Sequence, residues 1–205
     1  HEMGHQFGAP HTFNNSCGNN RSGATAVEPG SGSTIMAYAG ICPPNVQNNS
    51  DPYFSTVSVN NIYNFIKSAS GSCSVNTDSG NNEPIIEVSK LSHNIPHSTA
   101  FILEATATDL DGDALTYNWE QTDTQIATQP PVSTNTGGPT FRSLNPTTEG
   151  YRYFPNLQSI VAGKLTLDTN PAPMNWEVIP SVARTLKFSI LARDGKTVVF
   201  SIMDD

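Results

Sequence analysis

Apolar positions in the first third of the chain fall at helical spacing once, where Val59, Ile62, Tyr63 and Ile66 share one helix face. Ser55 or Thr56 can cap the start of that helix, and Gly71 lies shortly beyond its end. Downstream the period changes to two. Phe101, Leu103, Ala105 and Ala107 alternate with Ile102, Glu104, Thr106 and Thr108, and Leu115, Tyr117 and Trp119 alternate with Thr116, Asn118 and Glu120. Leu186, Phe188 and Ile190 repeat the pattern near the end. Such alternation predicts half-buried antiparallel strands. Asp111-Gly112-Asp113, Thr136-Gly137-Gly138-Pro139 and Asp194-Gly195 supply turns between the runs. Residues 74–84 have almost no apolar content and end in Pro84, which reads as an interdomain linker. The pattern therefore predicts an α+β chain: residues 1–73, a linker over 74–84, and an all-β sandwich over 85–205 with Trp119 in its core.

Composition narrows the function. The net charge is -8, with 18 acidic against 10 basic residues and no basic run, which disfavours nucleic-acid binding. No apolar stretch approaches the roughly 20 residues of a membrane helix. The 3 cysteines, Cys17, Cys42 and Cys73, are an odd count and contain no C-x-x-C pair, so a thiolate zinc knuckle and a thioredoxin-like centre are disfavoured. The Asn- and Ser-rich surroundings suit an oxidising, extracellular compartment. A chain that opens on His1 reads as a piece of a longer precursor.

The chemistry gathers at the start. His1 and His5 stand four apart, so a helix directs both imidazoles to one side, with Glu2 close enough to take a proton from metal-activated water. His11 can complete a three-nitrogen zinc site with one open position. Gly8 permits the sharp turn that brings His11 back, and Pro10 keeps the helix from resuming.

The run His1-Glu2-Met3-Gly4-His5-Gln6-Phe7-Gly8-Ala9-Pro10-His11 resembles the long metzincin signature at every fixed position. Gly32-Ser33-Thr34-Ile35-Met36-Ala37-Tyr38 resembles the tight methionine turn of that family, with Met36 as the floor beneath the metal. The resemblance covers about the first 73 residues and is to the bacterial reprolysin-like group. It implies a secreted Zn²⁺ endopeptidase acting on protein or peptide substrates, with His1, His5 and His11 as ligands and Glu2 as general base. The implied unit is the C-terminal part of the catalytic domain: zinc helix, methionine turn and C-terminal helix. Tyr38 has the spacing of a tyrosine that contacts zinc or stabilises the oxyanion in some branches, and reads equally as a half-buried side chain. Thr12 departs from animal reprolysins, which have aspartate after the third histidine. The resemblance also implies a Cys17–Cys42 bridge, leaving Cys73 for a cysteine further upstream. The upper wall of a metzincin cleft precedes the zinc helix, so this chain alone is expected to bind metal weakly and to show negligible peptidase activity.

Asp109-Leu110-Asp111-Gly112-Asp113 resembles the acidic turn of Ig-like, cadherin-like and PKD-like modules. Asp109, Asp111 and Asp113 read either as oxygen ligands for Ca²⁺ or as a solvated hairpin turn. Residues 85–205 read as a structural spacer. The alternative from another class is an adhesion or carbohydrate-binding module on a vestigial peptidase end, with Tyr151, Tyr153, Phe154 and Trp176 as candidate glycan contacts. A monomer is expected.

Overall fold

In the computed structural model residues 1–75, 77–165 and 176–203 are described. Asn76 of the expected linker, and 166–175 and 204–205 of the expected sandwich, lie outside them. The chain is α+β, with few helices and several antiparallel sheets. Helix α1 (Glu2–Gln6) is followed by long ordered loops, then by α2 (Thr56–Lys67). A β-rich segment holds β1 (Ile85–Glu87), β2 (Phe101–Glu104), β3 (Thr106–Thr108), β4 (Thr116–Gln121), β5 (Tyr151–Phe154), α3 (Leu157–Val161), β6 (Phe188–Arg193) and β7 (Val198–Met203). Among the described residues no helix is long and apolar enough to cross a membrane.

The run 101–108 is two strands rather than one. It breaks at Ala105, whose N–H donates to Gly150 O, and β2 pairs with β5 while β3 pairs with β1. Strand β6 lies between β4 and β7, with Trp119 opposite Ile190 and Glu120 opposite Ser189. Leu103, Trp119, Phe154, Phe188 and Ile190 meet in one core with Phe141 and Ile179. The Trp119 indole N–H is satisfied there by Gly150 O at 3.0 Å.

Two expectations from periodicity need correcting. The apolar face expected of α2 is largely outward, with Tyr63 52% and Ile66 44% exposed, while Thr56 and Ser58 are the buried residues. Strand β4 is buried on both sides, since Asn118 and Glu120 are each only 4% exposed. One cause serves both. The polar side of β4 packs against the start of α2, so hydrogen bonding rather than apolar contact decides what is inside. The Glu120 carboxylate accepts from the Thr56 N–H and from the Thr56 hydroxyl at 2.7 Å, and Ser143 Oγ donates to its other oxygen. Ser143 also bonds the Tyr53 hydroxyl, and Arg193 donates to Phe54 O. Ser55 precedes the helix, but its hydroxyl meets Ser58, leaving Glu120 to cap α2 from the other segment.

The β-rich segment also grips the loops around residues 14 and 30. Asn14 donates to Gln125 O and accepts from the Ala127 N–H, and Gln129 accepts from the Gly30 N–H. The Trp176 ring lies against Gly30. Trp176 is 3% exposed and Phe154 0%. Neither can present a ring to a glycan, which removes two of the four aromatics of the carbohydrate reading.

The Cys17–Cys42 disulfide is formed, and Cys73 is exposed and free. Non-reducing peptide mapping is expected to link Cys17 to Cys42 and to find the thiol at Cys73; a Cys17–Cys73 peptide contradicts the pairing. Glu120→Ala strands the Thr56 N–H in the interior and takes one partner each from the Thr56 and Ser143 hydroxyls, for an expected loss of about 2–4 kcal/mol by urea denaturation. The two segments are expected to unfold in one transition, and two separated transitions would show that they are independent. Burial raises the Glu120 carboxyl above the usual carboxylate range, against the hydrogen bonds from Ser143 and Thr56. The folded state therefore holds this proton more tightly. The corresponding stability is fully present below the unfolded glutamate value of about 4.3 and is lost as pH rises through the raised folded value. Glu120→Gln is expected to remove that slope from a stability–pH curve.

Candidate metal centre

Helix α1 is only five residues long, which suffices to set His1 and His5 one turn apart on one side. The chain then reverses at Gly8, where φ is 80°. That conformation excludes most side chains, and a Cβ there would also press on Phe65 at 3.1 Å. The reversal delivers His11. His5 Nε2 lies 3.2 Å from His1 Nε2 and 3.1 Å from His11 Nε2.

Each imidazole is aimed from behind. His1 Nδ1 is 2.6 Å from Ile35 O, His5 Nδ1 is 2.8 Å from Ala9 O, and His11 Nδ1 is 2.6 Å from Asn20 O. A carbonyl only accepts, so each Nδ1 carries the proton and each Nε2 presents a lone pair inward. Three lone pairs this close repel one another unless a cation sits among them. Tetrahedral zinc with bonds of about 2.0–2.1 Å requires neighbouring nitrogens about 3.3 Å apart. The donor set and its spacing fit zinc.

Met36 is fully buried, with its thioether against Gly4 of α1. A side chain at Gly4 would collide with that sulfur, so helix and methionine turn meet through a residue that the signature leaves unspecified. Tyr38 is half-buried, its ring centroid 4.5 Å from that of His11 and 5.6 Å from that of His1. Glu2 is exposed on α1 beside His1.

Four contributors to the site escape a reading by motif. The carbonyls of Ile35, Ala9 and Asn20 carry no side-chain signal at all. Glu28 does: it is 2% exposed in a loop of small and polar residues, and it accepts from the hydroxyls of Thr12 and Thr34 and from the N–H groups of Ser33 and Thr34. A lone glutamate just before Pro29-Gly30-Ser31-Gly32 was the available clue.

The three aspartates of the acidic turn do not gather. Asp109 and Asp113 come together with Asp194, whereas the Asp111 carboxylate accepts from the Asn82 N–H and side-chain amide. Those bonds hold the Asp111 carboxyl below its usual range. Asp109 accepts from the Asp111 and Asp113 N–H groups, and the cation facing Asp113 is Lys196 at 2.7 Å. Burial pushes the Asp194 carboxyl up, but hydrogen bonds from Asn81, Thr197 and Lys196 outweigh it and hold it well below the usual aspartate range. Asp109 Oδ2 and Asn81 Oδ1 are shielded and lack a hydrogen-bond partner among the described residues. These groups act mainly as turn caps, and calcium gains no support.

Residues 1–69 match the family model described as metallo-peptidase family M12B, reprolysin-like. No curated protein and no solved structure matches the chain. The family match ends before the β-rich segment begins, so the likeness to a reprolysin-like metallopeptidase extends over residues 1–69.

Proposed function

We propose that the chain carries the metal-binding floor of a secreted zinc endopeptidase, with His1, His5 and His11 as ligands. The observation that supports this reading most directly is the trio of Nε2 atoms, with every Nδ1 on a backbone carbonyl. When bound, zinc supplies a Lewis acid that acidifies water and polarises a peptide carbonyl. Glu2, exposed beside His1, takes the proton of the attacking water and returns it to the leaving amine. Tyr38, packed against His11, directs its hydroxyl towards the negative charge that develops on the carbonyl oxygen. Met36 holds α1 in place through Gly4. No covalent enzyme intermediate is required.

The same reading divides the chain into a peptidase part over 1–73, a connection over 74–84 and an Ig-like sandwich over 85–205. The disulfide suits an extracellular site of action. The buried bonds from β4 and Trp176 to the first segment favour a supporting wall over a freely tethered spacer.

In the full-length protein, Glu2→Ala is expected to lower casein hydrolysis by about 100-fold or more while one zinc per chain is retained. His5→Ala is expected to abolish both zinc retention and hydrolysis, measured by metal analysis after dialysis. Wild-type hydrolysis by the Glu2 variant, or by the zinc-free His5 variant, ends this reading. Tyr38→Phe is expected to reduce kcat by about 10-fold or more with little change in KM; an unchanged kcat removes Tyr38 from the mechanism.

A further inference from the structure

Glu28 is a carboxylate with its side chain deep in the first segment, and no Lys or Arg forms an ion pair with it among the described residues. A buried carboxyl group without a counterion depends on hydrogen-bond donors, and here each oxygen accepts twice. One oxygen takes the Thr12 hydroxyl, 2.6 Å away, and the Thr34 hydroxyl. The other takes the N–H groups of Ser33 at 2.7 Å and Thr34 at 3.1 Å. An apolar side chain could fill this volume without the desolvation penalty, so filling space is not a sufficient reason for a glutamate.

The partners are what make it informative. Thr12 directly follows His11, and Thr34 directly precedes Ile35, whose carbonyl orients His1. Backbone bonds join the same three strands of chain: Glu28 N–H to Thr12 O at 2.9 Å, and Thr12 N–H to Met36 O at 3.2 Å. Glu28 thus lies between the loop that delivers the third imidazole and the turn that aims the first and places Met36. At position 12, where animal reprolysins have aspartate, a threonine hydroxyl reaches for a carboxylate sixteen positions downstream.

We propose that Glu28 is a positioning residue of the metal centre, fixing the separation of His11 from the Ile35–Met36 turn so that the imidazoles converge before metal arrives. This inference rests on the zinc reading of the histidine cluster. The role is geometric, since Glu28 donates no ligand atom. An amide can reproduce it: in Glu28→Gln the carbonyl oxygen accepts the two N–H groups, and the amide donates to hydroxyls that rotate to accept.

The test uses Zn²⁺ alone, in competition with a chromophoric chelator, on the full-length protein and its variants. Visible absorption of the Co²⁺ form reports coordination geometry independently of activity. Glu28→Ala is expected to weaken Zn²⁺ binding by about 10- to 100-fold and to alter the Co²⁺ spectrum, while Glu28→Gln stays within about threefold of wild type with the native spectrum. If Glu28→Ala does not fold, the double variant Thr12→Val/Thr34→Val, which removes only the two hydroxyl donors, decides, with binding weakened in the same direction. Wild-type affinity and spectrum in the folded Glu28→Ala protein, or in that double variant, overturn the positioning role. A wild-type protein that takes up neither ion overturns the zinc reading and this inference with it, a result visible before any variant is made.

Discussion

Three imidazole lone pairs gathered at one point, with His5 Nε2 little more than 3 Å from each of the other two, form an arrangement that neutral protein interiors avoid. The local backbone enforces it here, through a carbonyl behind every Nδ1. The surrounding features serve that constraint. Gly8 turns the chain, Gly4 lets Met36 approach the helix, and the Cys17–Cys42 bridge links the loop beyond His11 to the loop beyond Met36. The carbonyl holding His11 belongs to the first of these loops and the one holding His1, from Ile35, directly precedes Met36, so the geometry of the imidazoles depends on how the loops are held.

Holding them falls to buried polar groups more than to an apolar core. Glu28 gathers hydroxyls and amides from both sides of the site, and Asn14 and Asn15 bind backbone carbonyls through their amides. A polar interior of this kind tolerates few alternative arrangements, because any shift leaves a buried donor or acceptor unpaired. The β-rich segment extends the same principle. It meets the first segment through Glu120, Ser143, Gln125 and Gln129, and it backs the 28–36 loop with Trp176. A segment read from the sequence as a structural spacer is thereby packed directly against the loop that carries Met36.

The convergence of His1, His5 and His11 was legible in the sequence because it follows from local rules, the i and i+4 spacing of a helix and a glycine-permitted reversal. The core of the β-rich segment was legible on the same terms: alternation in 101–105, 115–119 and 186–190 marks Leu103, Trp119, Phe188 and Ile190 as inward. Alternation says which side chains share a face, but not what that face meets. Asn118 and Glu120 were therefore assigned to a half-buried strand, and the apolar positions of α2 to one shared face, when the contact between the segments is made through Glu120 and Thr56. Asp111 was grouped with Asp109 and Asp113 by proximity in sequence, whereas folding substitutes Asp194, some eighty positions away, and turns Asp111 to Asn82. The sequence by itself determined the histidine trio and the strand core, because short-range geometry suffices for both. Only the tertiary structure decided the partners of Glu28, Glu120 and Asp194, because a buried carboxylate is satisfied by whichever donors the fold brings to it, and those carry no periodic signature along the chain.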